Sequence, residues 1–395
     1  MSETAGSGRR FAWPESAARP LGHPIQPSVA HVAESPDALD AHYAGRTAGY
    51  AYAREGHANA DALAARLDAV EGAEGGIVTG SGMAAVAAAV LGLCRAGDHV
   101  VGGAQLYGRS LRLLGEDLPR MGIATGFADP TDIDAVEAAL RPETRMILVE
   151  VVSNPTLRVA DMEGLTRLAR ARGVLLAVDN TFTTPRGFRP LAFGADIVIH
   201  SVTKLLAGHS DATLGYVAGR DPALAAAMGG LAVTLGLTPS PFDCWLAERG
   251  MLSFDLRFER AGANAAALAD HLAGLDGVRR VYYPGRADHP DHARAVRLLD
   301  GGGGAMVSFE VEGGRAAANA LVRAAPELSF APTLGDISTT LSHPASSSHR
   351  GLSAQARAAL GVGEGFFRVS AGVEDIAGLK EAFSRAVAAA RGAAG

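Results

Sequence analysis

Over most of its length the chain alternates short apolar runs with segments of helical period. From Asp61 onward, Leu63, Leu67 and Val70 recur at the spacing of one helix face, and Gly72 supplies a stop. Beyond it, the apolar runs 76–79, 99–101, 146–151, 174–178, 196–200 and 214–217 are too short for helices and are expected to be strands. The segments 83–93, 131–140 and 163–172 between them read as helices. Strand–helix alternation of this kind predicts an α/β fold with a largely parallel sheet covered on both faces.

The pattern changes at both ends. Residues 1–60, rich in Pro, Gly, His and Ala with weak periodicity, read as an extended arm, and 61–254 as the main domain. A smaller α/β unit is expected over 255–395. It would hold an alanine-rich helix at 261–272, a glycine cluster at 301–304 and a strand at 305–311. A Ser/Thr/His-rich loop at 333–350, a strand at 366–370 and a helix ending near Arg391 would follow.

Composition narrows the function. With 395 residues, 48% of them hydrophobic and 20% charged, the chain is an ordinary globular sequence long enough for two domains. A net charge of −6 and the absence of any basic run argue against nucleic-acid and anionic-membrane partners. Residues 1–10 lack the apolar core of a signal peptide, and the longest apolar run, 83–94, is broken by Gly92 and too short to span a bilayer. Cys94 and Cys244 are too few for a disulfide framework, and the 12 histidines show no metal-ligand spacing. The expectation is a reduced, cytoplasmic enzyme without a metal, acting on a small molecule.

The chemistry concentrates at 196–211. An apolar strand there ends in Ser201 and Thr203, which lead directly into Lys204. Lysine is normally a solvated residue, and one delivered by a buried strand gains a lowered pKa and Schiff-base nucleophilicity. Hydroxyls beside it could hold a phosphate, and that pairing points to pyridoxal phosphate (PLP). Asp179 ends another apolar strand, where a carboxylate either caps the next turn or pairs with a pyridine nitrogen. The segment Gly80-Ser81-Gly82-Met83-Ala84-Ala85, between a strand and an apolar helix, makes an anion site and also fits a loose dinucleotide fingerprint. An NAD-dependent dehydrogenase is therefore a rival, weakened because Asp98 precedes the next strand instead of ending it and because Lys204 is left unexplained. Tyr107 could stack on a cofactor ring, Tyr52 and Arg54 could reach a phosphate, and Arg368 inside an apolar strand needs an anionic partner.

Together these segments resemble the Cys/Met-metabolism PLP enzymes: cystathionine γ-synthases, cystathionine γ-lyases, methionine γ-lyases and O-acylhomoserine sulfhydrylases. The matching words are Tyr52-x-Arg54, Ser81-Gly-Met-Ala-Ala85, Leu106-Tyr-Gly108, Ser153-Asn-Pro155, Val178-Asp-Asn-Thr181, Ser201-x-Thr-Lys204, Gly208-His-Ser-Asp211, Leu334-Gly335, His343-Pro-Ala345 and Arg368-x-Ser-x-Gly-Val-Glu-Asp375. The resemblance implies a fold type I transferase in which Lys204 carries the cofactor and shuttles protons, Asp179 holds the pyridinium and Tyr107 stacks on the ring. Gly82, Met83, Ser201 and Thr203 would hold the phosphate, joined by Tyr52 and Arg54 of a neighbouring subunit, so a homo-oligomer, typically a dimer of dimers, is implied. Arg368 and Asn154 would bind the substrate α-carboxylate. The reaction would be γ-elimination or γ-replacement on a homoserine-derived amino acid.

Three departures bear on the substrate. His57-Ala58-Asn59 stands where the family usually has Asn-Pro-Thr. Arg109 stands where methionine γ-lyases carry cysteine, either meeting the leaving group or merely facing solvent. In the run Thr333-Leu-Gly-Asp336-Ile-Ser338, Ser338 replaces the glutamate that receives the distal ammonium of cystathionine, which puts cystathionine in doubt. A different Cγ leaving group, such as that of canavanine or a halide, stays open.

Overall fold

A computed structural model describes residues 21–300 and 302–394. The first twenty residues of the expected arm, and Gly301 of the glycine cluster, lie outside the described residues. Seven strands form the larger sheet: β1 (Ile77–Thr79), β2 (His99–Gly103), β3 (Ala124–Ala128), β4 (Thr144–Glu150), β5 (Leu175–Asp179), β6 (Ile197–His200) and β7 (Gly215–Gly219), in the order β1-β7-β6-β5-β4-β2-β3. From β3 through β6 every neighbouring pair is parallel, and β7 alone runs against its neighbours. The central strands are apolar on both sides because both faces are covered: Val178 packs on one side, Ala177 and Ile199 on the other.

A second sheet of five strands is mainly antiparallel: β8 (Val278–Tyr282), β9 (Met306–Val311), β10 (Ser329–Phe330), β11 (Thr340–Ser342) and β12 (Phe366–Ser370), in the order β10-β11-β12-β9-β8. Its core joins Phe309 and Phe367 of the sheet to Leu268 and Leu272 of the helix Phe254–Ala273 and to Phe383 of the helix Ile376–Ala394. Fully burying such side chains stabilises by about 1.5–3 kcal/mol each.

The structure departs from the sequence expectations in several places. The described part of the arm is not wholly extended, since Pro36–Tyr43 is helical with Ser35 as its cap. Helices at Pro222–Leu235 and Pro241–Met251 were not foreseen, although Asp221 and Ser240 cap them and each has proline in its first turn. The long helix begins at Phe254, ahead of the expected 261. The segment 131–140 shortens to Ile133–Ala139, capped by Asp132. The helix Ala58–Glu71 buries Leu63 and Leu67 completely and ends at Gly72, whose φ of 71° is left-handed. Its cap is His57: Nδ1 accepts the Ala60 N–H at 3.1 Å while Nε2 donates to the Pro239 carbonyl at 3.1 Å. That capping role accounts for a histidine at the start of a helix. No helix among the described residues is long and apolar enough to cross a membrane.

Candidate active site

Three parallel strands finish side by side, placing Glu150 of β4 opposite Asp179 of β5, and Asp179 opposite Ile199 of β6. Beyond β6 the chain makes a tight turn in which the Lys204 N–H donates to the Ser201 carbonyl at 3.1 Å. Val202, Leu205 and Leu206 are buried beneath this turn, and Lys204 projects from it towards the smaller sheet. Its Nζ donates to Thr333 Oγ1 at 3.3 Å. Burial, and then the Arg368 cation, hold this amine below its ordinary range.

Arg368, on β12, is 5% exposed. Nη1 donates to Asn154 Oδ1 at 2.8 Å and Nη2 to the Thr333 carbonyl at 2.9 Å, while Nε has no partner among the described residues. Burial brings the guanidinium down to about 10, with Tyr107 and Glu150 acting in the opposite direction. Lys204, Thr333, Arg368 and Asn154 thus form one connected group, drawn from both sheets and from the cis Asn154–Pro155 turn. Such a cation, held by neutral groups only, suits a carboxylate ligand.

Asp179 Oδ1 accepts from the Thr181 N–H at 3.0 Å and from Thr181 Oγ1 at 2.5 Å. Thr181 Oγ1 also accepts the Ser201 N–H at 2.9 Å, tying the aspartate to the lysine turn. Burial raises Asp179 above the usual carboxylate range, against the two Thr181 hydrogen bonds and the nearby His200. A cationic ring nitrogen beside it would restore the carboxylate.

Gly82 opens the helix Gly82–Leu93, where Ser81 accepts the Ala84 N–H at 3.1 Å. The first N–H groups of that helix have no intrahelical carbonyl and attract an anion. A Cβ at Gly82 would lie 2.7 Å from Ser201 Cβ and 2.8 Å from Ser201 Oγ, so glycine keeps this helix end and the serine hydroxyl in one cradle. Met83 lies on the same turn and receives Ser110 Oγ on its sulfur at 3.8 Å. Thr203 is committed elsewhere, its hydroxyl donating to the Leu214 carbonyl at 3.1 Å and accepting the Leu214 N–H at 2.9 Å. Tyr107 precedes a short helix and is 40% exposed.

Other predicted residues are not drawn into this group within one chain. Tyr52 is 42% exposed, and Arg54 lies over its ring at 5.5 Å and donates to the Val233 carbonyl at 3.3 Å. Arg109 is exposed. Ser338 is exposed too, and its N–H donates to Asp336 Oδ1 at 2.8 Å, which engages one oxygen of Asp336 within its own turn.

Glu150 was missed by the sequence reading. Its Oε1 accepts the Tyr107 N–H at 2.7 Å and its Oε2 the Asn154 N–H at 3.2 Å, joining the tyrosine turn to the arginine pocket. Burial, and then Asp179, push it well above the usual carboxylate range, opposed by those two N–H groups and Arg368. The signal was present, because Glu150 ends an apolar strand as Asp179 does.

PLP asks a protein for a desolvated amine, a carboxylate for its ring nitrogen and an anion cradle at a helix end. The residues present fit it, with Lys204, Asp179 and the Gly82–Ser201 cradle as the groups that would hold it. The architecture is that of a fold type I PLP-dependent enzyme. Residues 14–388 match the family model of the Cys/Met metabolism PLP-dependent enzymes. O-succinylhomoserine sulfhydrylase of Pseudomonas aeruginosa is 41% identical over 349 residues, 88% of this chain and 86% of that protein. The structure of cystathionine gamma synthase from Xanthomonas oryzae pv. oryzae in complex with cystathionine superposes with a TM-score of 0.90 at 37% identity, covering 96% of both chains. A putative O-acetylhomoserine (thiol)-lyase from Campylobacter jejuni, solved with N'-pyridoxyl-lysine-5'-monophosphate, gives 0.90 at 26% identity over 95% of this chain and 97% of that one. The chain belongs to the Cys/Met metabolism PLP-dependent enzyme family, whose chemistry is γ-elimination and γ-replacement in sulfur amino-acid metabolism. The dinucleotide reading of the glycine segment falls with that assignment.

Proposed function

We propose that this protein catalyses γ-replacement on an O-acylhomoserine, with a sulfur nucleophile as second substrate and γ-elimination as a side path. One observation carries the choice of substrate: exposed Ser338 stands where cystathionine enzymes place a glutamate, and the nearby Asp336 carboxylate is turned back towards the Ser338 N–H of its own turn. A distal ammonium such as that of cystathionine would find no carboxylate at position 338, whereas an acyl ester needs none. The 41% identity to an O-succinylhomoserine sulfhydrylase agrees with that reading.

In this mechanism the substrate α-carboxylate takes a bidentate seat on Arg368, flanked by Asn154. That seat orients Cα towards Lys204, whose desolvated amine accepts a proton from Cα. Lys204 passes that proton to the departing acyl group, which leaves Cγ as a carboxylic acid while the freed amine takes the proton at Cβ. When bound, PLP supplies the electron sink for charge left at Cα, with Asp179 as its ring partner. Tyr107, held by Glu150 through its backbone, stands beside Arg368 at the face where the leaving group departs. Cγ then takes a thiolate and protons are returned to Cβ and Cα, or the eliminated product is released and hydrolysed by water to a 2-oxo acid and ammonia. Tyr52 and Arg54, remote from this group within one chain, serve the phosphate site of a second copy, which makes the working unit at least a dimer.

The test is a substrate panel. PLP-loaded protein is incubated with O-succinylhomoserine, O-acetylhomoserine, cystathionine, methionine and canavanine, each with and without sulfide or cysteine, and products are read by mass spectrometry. Homocysteine or a new thioether, formed only with nucleophile and fastest from an O-acylhomoserine, is the expected result. Faster release of 2-oxobutyrate from cystathionine without nucleophile would refute the proposal.

A further inference from the structure

Arg257 is a buried cation outside the groups assigned so far. It stands on the helix Phe254–Ala273, is 7% exposed and forms its hydrogen bonds to uncharged groups only. Nη1 donates to the Leu205 carbonyl at 2.8 Å, and Nη2 to the carbonyls of Leu206 at 3.0 Å and Gly250 at 2.9 Å. Nε donates to Ser253 Oγ at 3.2 Å. Two of the three carbonyls thus belong to the residues directly following Lys204.

Burying a guanidinium against neutral carbonyls is costly unless the fork geometry is used in full. Here four of its five N–H donors are used, with the Asp336 carboxylate as the nearby counter-charge, and the surrounding glycines show how tightly the turn is gripped. A Cβ on Gly208, whose φ is +77°, would lie 1.9 Å from Arg257 Nη1. On the opposite side, a Cβ on Gly335 would lie 2.3 Å from the Leu205 nitrogen and 2.7 Å from the Lys204 carbonyl carbon. The Ile337 N–H closes the same side by donating to the Gly208 carbonyl at 2.8 Å. The lysine turn is therefore clamped between a guanidinium of the long helix and the backbone of the 333–338 loop.

We propose that Arg257 is a positioning residue for Lys204. It holds the main chain after the lysine rigid, so that the amine alone moves while protons are transferred. The inference rests on the assignment of Lys204 as the reacting amine. A misplacement of about 1 Å can cost about 10²-fold in rate without contact between the altered residue and the substrate.

Arg257→Lys keeps the charge and loses the fork, and Arg257→Met keeps the volume and loses both. Each would be compared with wild type in the PLP-loaded state by steady-state kinetics with O-succinylhomoserine and sulfide, and by backbone hydrogen exchange. The expected result is a fall in kcat of about 10- to 100-fold with KM within about threefold, because the Arg368 pocket is untouched. Exchange should accelerate over residues 204–208 and stay at wild-type rates in β4 and β5. Should Arg257→Met not fold, Arg257→Lys decides. A kcat within about twofold of wild type would overturn the proposal. So would loosening spread over the whole chain with kcat and KM moving together, which is the mark of a general structural role. Retained activity in Lys204→Ala would instead remove the assignment beneath it, while the local exchange would still report whether the clamp exists.

Discussion

Replacing Arg368 with methionine separates binding from stability, because the two should move apart. Arg368 is 5% exposed and hydrogen-bonds to two neutral acceptors, Asn154 Oδ1 at 2.8 Å and the Thr333 carbonyl at 2.9 Å. Its pKa is brought well below the ordinary guanidinium range, to about 10, chiefly by burial. Being charged in the folded state therefore costs on the order of 3 kcal/mol, at about 1.4 kcal/mol per pKa unit. Methionine removes that cost but leaves two acceptors without donors, a loss of about 1 kcal/mol or somewhat more for each. The two contributions nearly cancel, so the melting temperature of the holoenzyme should stay within a few degrees of wild type. Binding has no such compensation. Truncating one partner of a buried, hydrogen-bonded charge pair costs about 2–5 kcal/mol, which lowers kcat/KM for the amino-acid substrate by about 30- to 5000-fold. Most of the loss should appear in KM, since the carboxylate is bound before and during reaction. Steady-state kinetics and calorimetry on the same preparation decide the matter. A variant that melts far below wild type but keeps its kcat/KM would show that Arg368 is a structural cation and that the carboxylate seat lies elsewhere.

Three other outcomes are expected. Lys204→Ala should abolish turnover and leave no cofactor covalently attached, as judged by intact mass after borohydride reduction. Gly335→Ala should lose more stability than the ~1–2 kcal/mol of a left-handed alanine, because φ is +81° and the new Cβ would press on the backbone of Lys204 and Leu205. Denaturant midpoints and activity should fall together in that variant. His289 is held down to about 4, mainly by burial, and stays neutral in the folded protein where an unfolded histidine takes up a proton near 6.5. The unfolded state therefore binds more protons in that window, and stability drops as pH falls from 6.5 towards 4, by up to ~1.4 kcal/mol per unit for this group. His289→Gln should flatten the slope of urea midpoints against pH, and an unchanged slope would refute the assignment.

How far the fold could be read from the chain depended on where each element sits. The central strands β4, β5 and β6 are buried on both faces, and continuous apolar runs reveal them within a residue or two. β3 escaped because it is an edge strand reading Ala-Thr-Gly-Phe-Ala, half exposed and without alternation. The helix Pro222–Leu235 escaped for a different reason. Its face is a mixture of alanine, glycine and apolar residues with no polar stripe to mark a period, although the Asp221-Pro222 cap was legible.

The site divides along a different line. Asp179 was legible because it ends an apolar strand with a charge, and Lys204 because a charge follows another apolar strand within one turn, local contradictions that only a ligand or a partner resolves. Glu150 makes the same contradiction at the end of β4, and the rule applied to Asp179 would have found it. Arg257 could not be found this way. A charged residue inside an amphipathic helix reads as solvated, and nothing along the sequence says that its donors will meet the carbonyls of Leu205 and Leu206 some fifty positions away. The same asymmetry governs Tyr52 and Arg54, whose proposed partners belong to another copy of the chain. Groups that act on a ligand leave a local mark in the sequence, whereas groups that act on other groups become visible only when the backbone they hold has been placed.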